Sequence, residues 1–330
     1  MVVRPLPVQE ASKRNECFKV HAGRLFDSKN KTYIEDAAIE INTKTGLITK
    51  VYKHTDDRDD VWKSPNDIDL SSKDLTVLPG FVEAHSHIML HPYTEASSLH
   101  QERDESLVER VIRATNHCRD ILKAGYTTCR DLGTESLQDA DIGVRDAINR
   151  GIIRGPRHFV ATEALASSGG YEIRHENRLG GTVAPRLSDP CDGVVGVRAA
   201  VRRRLGAGAD IIKFYAEYGK RQLRYPPPTY PGGPDIEFPP SGSGGPLESE
   251  RNPSLLLFNQ EEMDEIVREA NAARAPVAAH TQSVESSMMA SKAGVTTVEH
   301  AIRAYEKPDE QMLLLWEAGV EETRSLINAL

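Results

Sequence analysis

The chain has 330 residues, of which 39% are hydrophobic and 27% are charged. This composition is typical of a globular protein long enough to bury a core, either as one large α/β barrel or as two ordinary domains. The net charge of -8 argues against nucleic acid or an anionic membrane as the main partner, and no apolar run approaches the roughly 18 residues that a membrane span needs.

The N-terminal residues and the cysteines predict a cytoplasmic protein. Residues Met1 to Arg14 are polar and lack the apolar segment of a secretory signal. No C-x-x-C pair occurs among Cys17, Cys118, Cys129 and Cys191. We therefore expect reduced cysteines rather than a disulfide framework or a thiolate metal site.

Residues 17 to 78 are predicted to form a small β-rich region. Ala37–Ile41 and Leu47–Val51 flank a polar turn that ends at Gly46, a pattern typical of a hairpin. No residue of this region indicates chemistry.

From residue 79 onward, predicted strands and helices alternate, which indicates parallel β-α units. Three predicted helices end in an Ala-Gly pair, in which glycine takes the left-handed position after the last turn. These helices are Leu107–Ala124, Val197–Ala207 and Val284–Ala293. A fourth helix, Gln260–Ala273, begins with a capping box formed by Asn259 and Glu262.

A pair of histidines ends the first strand of this region. Pro79 and Gly80 form a turn, and the predicted strand Phe81–His87 follows. Side chains alternate along a strand, so His85 and His87 share one face. Two imidazoles on one face can hold a cation such as zinc, although a lone H-x-H spacing also arises by chance.

Three further predicted strands end in a residue of the same kind, namely Lys213, His280 and His300. In parallel α/β architectures, ligands and catalytic groups collect where the strands end. This coincidence favours a metal site over chance. Lys213 alone could also be an ordinary lysine that extends to solvent.

A Pro- and Gly-rich segment, residues 221–254, interrupts the alternation. Its composition predicts a long loop rather than a barrel element. Because it follows the Lys213 strand, we expect it over the metal face, as a substrate gate or as a passive insertion.

Several motifs resemble the amidohydrolase superfamily, specifically its imidazolonepropionase-like and prolidase-like branch, which includes ochratoxin-hydrolysing fungal enzymes. The resemblance covers residues from about 17 to about 318. Its markers, in order, are Leu78-Pro79-Gly80-Phe81 before His85-Ser86-His87, Ala124-Gly125-Tyr126-Thr127-Thr128 before Arg130-Asp131-Leu132-Gly133, Ala207-Gly208-Ala209-Asp210-Ile211-Ile212-Lys213, Ala278-Ala279-His280 and Val298-Glu299-His300.

The resemblance implies a (β/α)8-type TIM barrel, residues 79–330, and an N-terminal portion of a β-sandwich, residues 1–78. It also implies one or two divalent metal ions, most simply zinc. His85 and His87 would bind the more buried ion, and His280 and His300 the more exposed one. Lys213 would be carboxylated and bridge the two, because a lysine that ends an apolar strand has a lowered pKa and its neutral amine can add carbon dioxide.

The implied mechanism is metal-assisted hydrolysis, in which a metal-activated hydroxide attacks a carbonyl and a carboxylate passes a proton to the leaving nitrogen. That carboxylate should be an aspartate that ends the eighth strand. After His300 the only aspartate is Asp309, which precedes a predicted helix, residues 308–319. We therefore expect a truncated, incomplete barrel of about six strands, and we assign no catalytic residue.

These features predict a metal-dependent hydrolase of C–N bonds that acts on a small amide, cyclic amide or dipeptide-like substrate. The rival hypothesis is a catalytically silent fragment with metal-binding or interaction roles. A deaminase is a weaker third hypothesis, because deaminase relatives usually do without the lysine of the fourth strand. A homo-oligomer is compatible with all three.

Overall fold

The structure, a computed structural model, describes residues 17–53, 66–71, 74–170, 185–218 and 255–301. The chain divides into two compact units, residues 1–80 and residues 81–330. The predicted insertion 221–254, the predicted helix 308–319 and Asp309 lie outside the described residues.

The first unit contains one mixed sheet. Its strands are β1 (Cys17–Asp27), β2 (Thr32–Asn42), β3 (Ile48–Lys53), β4 (Ile68–Leu70) and β5 (Thr76–Val77). The order is β3-β2-β1-β4, and β5 also pairs with β1. The hairpin signal is confirmed, because β2 and β3 pair antiparallel around a turn in which Gly46 has φ +71°. The described residues form a single sheet here, so the β-sandwich stays a prediction.

The second unit is built on parallel strands. One sheet joins β6 (Phe81–Ser86), β7 (Tyr126–Asp131) and β8 (Arg157–Val160). A second sheet has the order β10-β9-β11-β14-β15, and all its pairs are parallel. Its strands are β9 (Ala164–Ala166), β10 (Ser188–Pro190), β11 (Ile212–Tyr215), β14 (Val277–Thr281) and β15 (Thr297–His300). The short strands β12 (Glu217–Tyr218) and β13 (Leu255–Leu256) pair antiparallel.

Backbone hydrogen bonds connect the two parallel sheets. The N–H groups of Asp210 and Ile211, which directly precede β11, both donate to the carbonyl of Val160, the last residue of β8. The carboxyl ends of parallel strands therefore meet at one edge.

Helices alternate with the strands, and four of the six described helices were predicted. They are α1 (Ser98–Arg103), α2 (Leu107–Lys123), α3 (Ala140–Asn149), α4 (Gly193–Ala207), α5 (Gln260–Ala272) and α6 (Val284–Ala293). The capping box of Asn259 and Glu262 is present, and Gly208 and Gly294 are left-handed C-caps. Helix α4 begins at Gly193 rather than at the predicted Val197. Its first N–H donates to the Glu262 carboxylate of α5, a partner that sequence alone could not supply.

The main core lies between the second sheet and the helices α4 and α5, around Ile212, Phe214, Met263 and Ile266. All four cysteines are free, and Cys118, Cys129 and Cys191 are buried, as predicted. Within the described ranges, no helix has the length and apolarity to cross a membrane.

Candidate metal centre

The two histidines of β6 lie side by side at the end of that strand. His85 is the last residue but one of β6 and His87 follows the strand directly, with ring centroids 5.4 Å apart. Ser86 points away from them, because its hydroxyl donates to the Arg130 carbonyl and contacts the Cys129 thiol. The alternation therefore places both imidazoles on one face.

The other three predicted ligands lie on neighbouring strands. His280 is the last residue but one of β14 and His300 ends β15, whereas Lys213 is the second residue of β11, which continues to Tyr215. The predicted strand end at Lys213 is therefore wrong. The His300 ring is 4.7 Å from that of His85 and 4.6 Å from that of His280, measured between centroids. Lys213 of β11 is only 2% exposed, and its charge acts on the pKa of His87, His280 and His300. All five side chains thus converge on one region.

His300 departs from strand geometry. Its φ is +70° and that of Ala301 is +43°, a left-handed conformation that is uncommon outside glycine. Strand alternation would send Glu299 and His300 to opposite faces. In the structure both contact His85, because the backbone turns at His300. Backbone strain of this kind tends to cluster at functional sites.

An ionic network surrounds His85, and we call Glu299, Arg130 and Thr297 the ionic anchor. The carboxylate of Glu299, which is 6% exposed, lies 2.7 Å from His85 Nδ1. It accepts hydrogen bonds from Arg130 Nη2 at 2.7 Å and from the Thr297 hydroxyl at 2.6 Å. Arg130 Nη1 also donates to Thr297 Oγ1 at 3.0 Å. Burial alone would raise the pKa of Glu299, but the His85 hydrogen bond and the charges of Arg130 and Lys213 lower it to about 2.

A loop surrounds His87, and we call Gly133, Glu135 and Arg110 the loop anchor. His87 Nδ1 lies 2.8 Å from the Gly133 carbonyl oxygen and 3.7 Å from Glu135 Oε1. Positive φ values occur at Gly133 (+146°), Glu135 (+48°) and Ser136 (+73°). Arg110 is fully buried, and it donates to the carbonyl oxygens of Met89, Thr134 and Glu135 and to the Ser136 hydroxyl. A single guanidinium thus holds a strained backbone in place.

Both anchors leave the same ring nitrogen available. A carbonyl or carboxylate oxygen can only accept, so a hydrogen bond at Nδ1 requires that Nδ1 donates, and Nε2 is the nitrogen that neither anchor uses. Metal-binding histidines in proteins generally donate their other ring N–H in this way.

Burial favours the neutral forms of the basic groups in the site. Burial lowers the pKa of Lys213 to about 8, helped by the charge of Arg130 and opposed by Glu299 and Glu135. Burial, together with the neighbouring Lys213 and histidines, lowers the pKa of His280 to about 2, and burial and His85 lower that of His300 to about 4. Burial lowers the pKa of His87 as well. Neutral imidazole and amine nitrogens are the form that a cation requires.

Two observations support a metal ion at this site, namely the chemistry of the donor groups and their convergence on one region. Among the described residues, no three His, Cys, Asp or Glu side chains are spaced to hold one ion. The four histidine rings and the Lys213 amine nevertheless share one region, in which burial lowers the pKa of His87, His280, His300 and Lys213. These residues fit a divalent cation, because neutral nitrogen ligands can bind a positive ion at a place where the side chains themselves do not readily take up protons.

Several residues of the site were not predicted. Glu299 lay within a recognised motif, beside a predicted ligand, but it was given no role. Arg130 lay within a recognised motif without a role, and Glu135 and Arg110 carried no sequence signal. Tyr215 donates from its hydroxyl to Glu135 Oε1 at 3.1 Å, and its ring centroid is 5.1 Å from that of His280. Its aromatic character predicted only core packing.

Comparison with known proteins places this fold among hydrolases. The model of the amidohydrolase family matches residues 76–320. The ochratoxinase of Aspergillus niger is 29% identical over 271 residues, which are 76% of this chain and 48% of that protein. The chain thus spans about half the length of the curated relatives it matches.

Solved structures of known proteins resemble this chain as well. A Xaa-Pro dipeptidase with methionine bound in its active site is 28% identical, with a TM-score of 0.65 over 92% of this chain and 65% of that one. The A. niger ochratoxinase structure is 25% identical, with a TM-score of 0.63 over 92% of this chain and 64% of that one. These likenesses confirm a TIM-barrel-like α/β fold with parallel sheets. Because the family model matches most of the chain, the predicted membership is confirmed as well, and the chain belongs to the amidohydrolase family.

Proposed function

We propose that this chain is a metal-dependent amidohydrolase that cleaves C–N bonds in small amide, cyclic amide or dipeptide-like substrates. The observation that carries the proposal is the convergence of four histidines and one lysine from parallel strands on one region, namely His85, His87, Lys213, His280 and His300. In this proposal β6, β7, β8 with β9, β11, β14 and β15 are six strands of the barrel. The sheet of the first unit is then part of a β-sandwich.

His85 and His87 would hold one ion through Nε2, and His280 and His300 a second one, with Lys213 between them. Zinc suits this donor set, because imidazole nitrogen is one of its preferred ligands. A divalent cation supplies Lewis-acid chemistry, since it lowers the pKa of a water molecule and polarises the carbonyl oxygen of the substrate.

Lys213 supports the proposal through its environment. Because its pKa is about 8, a useful fraction of the amine is neutral at neutral pH. The neutral amine attacks carbon dioxide, a C–N bond forms, and one proton is released, which leaves an anionic carbamate. That anion would replace a repelled ammonium by a ligand of opposite charge to the metal.

The chain's other residues would position these groups. The two anchors hold the imidazoles of β6, and Tyr215 and Tyr218 pack their rings against His280. The names of the relatives, an ochratoxinase and a Xaa-Pro dipeptidase, favour amide and dipeptide-like substrates.

The test begins with the full chain expressed in zinc-supplemented medium. We expect one or two equivalents of zinc by elemental analysis, and hydrolysis in a screen of N-acyl amino acids and dipeptides. His280→Ala and Lys213→Ala should lose zinc and activity together. No metal above background would refute the proposal.

Two other outcomes separate the alternatives. Bound zinc without hydrolysis of any substrate would favour the catalytically silent form. Equal activity in the wild type and in both variants would mean that a contaminant was measured.

A further inference from the structure

The ionic anchor joins parts of the chain that are distant in sequence. His85 and Glu299 are separated by 214 positions, yet Nδ1 of the ring lies 2.7 Å from the carboxylate. The chain thus places a nearly buried carboxylate against an imidazole whose ring lies 4.7 Å from that of His300 and 5.4 Å from that of His87.

The carboxylate itself is held in one orientation. Glu299 Oε1 receives hydrogen bonds from Arg130 Nη2 and from the Thr297 hydroxyl, which leaves Oε2 for His85. A charge-assisted hydrogen bond of this length is stronger than a neutral one. The orientation of Glu299 is therefore determined before any ligand binds.

Arg130 connects this carboxylate to the strand that carries His85. Its Nε donates to the carbonyl oxygen of Ala84, the residue before His85, and its two other nitrogens reach Thr297 and Glu299. One side chain of β7 thus links β6 to β15. A displacement of either strand would break hydrogen bonds to the same guanidinium.

We infer that Glu299 is a positioning residue that fixes His85 in the Nδ1–H tautomer and directs its Nε2 into the metal site, with Arg130 holding the carboxylate in place. A neutral imidazole exchanges between two tautomers, and only the one with a free Nε2 can bind an ion there. The metal-binding part of this inference rests on the proposed function. The tautomer of His85 can be measured without any metal, so this part of the inference does not rest on the proposed function.

The experiment uses metal-free full-length protein with 15N-labelled histidine. The His85 ring signals are assigned by comparison with His85→Asn, and their 15N shifts report which nitrogen carries the proton. Zinc affinity is measured on the same samples by competition with a chelator. The variants are Glu299→Ala and Glu299→Gln.

Glu265→Ala is the matched control. Glu265 of α5 is also 6% exposed and is also paired with arginine, in its case Arg198 and Arg268, and the described residues give it no hydrogen bond to a histidine. It therefore reports the cost of losing a buried ion pair of the same kind without the tautomer effect.

We expect Nδ1–H at His85 in the wild type and in the control, and a mixture of tautomers in Glu299→Ala. Zinc affinity should fall about 10- to 100-fold in Glu299→Ala, as for other residues that orient a metal ligand. The zinc affinity of Glu299→Gln should lie between those of the wild type and Glu299→Ala. Glutamine replaces one carboxylate oxygen with an NH2 group, which cannot accept a hydrogen bond, so either His85 or Arg130 loses its acceptor. The control should bind zinc as the wild type does.

Two results would overturn the inference, namely a wild-type His85 protonated on Nε2, or a Glu299→Ala protein with an unchanged tautomer and affinity. If the wild type bound no zinc but its tautomer still changed in Glu299→Ala, the positioning role would stand and the proposed function would fall. The two proposals therefore fail separately.

Discussion

His85 and His87 are two residues apart on one strand end, but they are oriented by different means. The ionic anchor holds His85 through side chains of β7 and β15. The loop anchor holds His87 through the backbone carbonyl of Gly133, and Arg110 fixes that loop from behind. One histidine depends on charges, and the other on backbone geometry.

This difference indicates which substitution would disturb the orientation of each histidine. A side-chain carboxylate can be removed by one substitution that leaves the backbone intact. A backbone carbonyl cannot be removed in that way, so its position fails only when the loop that carries it moves. The residue to test in the loop anchor is therefore Arg110 rather than the atom that contacts His87.

The largest expected effect comes from breaking the loop anchor with Arg110→Met. The change leaves the Thr134 and Glu135 carbonyls without this donor, and it removes a buried positive charge that interacts with Glu102, Glu135 and Glu105. We expect a loss of about 3–5 kcal/mol in the free energy of unfolding, as for other broken buried ion pairs. Chemical denaturation of the metal-free protein measures it.

Arg110→Lys is the control, since it keeps the charge but offers fewer aligned donors, and it should lose less stability. Histidine NMR of Arg110→Met should show a changed His87 ring and an unchanged His85 tautomer. A change at His85 alone would contradict the independence of the two anchors.

The next effect concerns the pH dependence of stability and a buried histidine, His158, near the loop anchor. His158 of β8 lies 3.7 Å from the Asp131 carboxylate at the start of that loop. Burial lowers the pKa of His158 from 6.5 to about 4. Between those values the unfolded chain binds the proton and the folded chain does not, so stability falls as the pH falls from 6.5 towards 4.

The loss attributable to His158 is about 3 kcal/mol and is complete below pH 4. His158→Gln cannot titrate, so its unfolding free energy should depend less on pH across that window. Denaturation curves of both proteins at several pH values measure the difference. Parallel pH profiles would show that His158 is not the group responsible.

The smallest effect comes from weakening the ionic anchor with Thr297→Val. Valine keeps the shape of threonine but removes the hydroxyl that donates to Glu299 and accepts from Arg130. We expect a stability loss of about 1 kcal/mol, typical of one hydrogen bond, and weaker zinc binding than in the wild type.

Thr296→Val is the matched control. The Thr296 hydroxyl accepts from the Val277 N–H, away from the ionic anchor, so this variant should lose similar stability but keep its zinc affinity. Equal zinc affinities in the two variants would mean that Thr297 contributes to the strand and not to the site.

Local patterns were sufficient to predict most elements of the second unit. The capping box at Asn259 and the left-handed glycines at positions 208 and 294 lie where the sequence placed them. Such signals depend on residues only a few positions apart, so they act before the chain is packed. Helix α4 began early because its first N–H is satisfied from another helix.

By itself, the sequence determined which strands carry the candidate ligands and the family to which the chain belongs. Only the tertiary structure decided which groups surround those ligands. Glu299 beside His85 and Arg110 beside the loop of His87 depend on how strands and helices pack, since their contacts join residues 214 and about 25 positions apart. Strand alternation alone would place Glu299 and His300 on opposite faces, but both contact His85 because the backbone turns at His300.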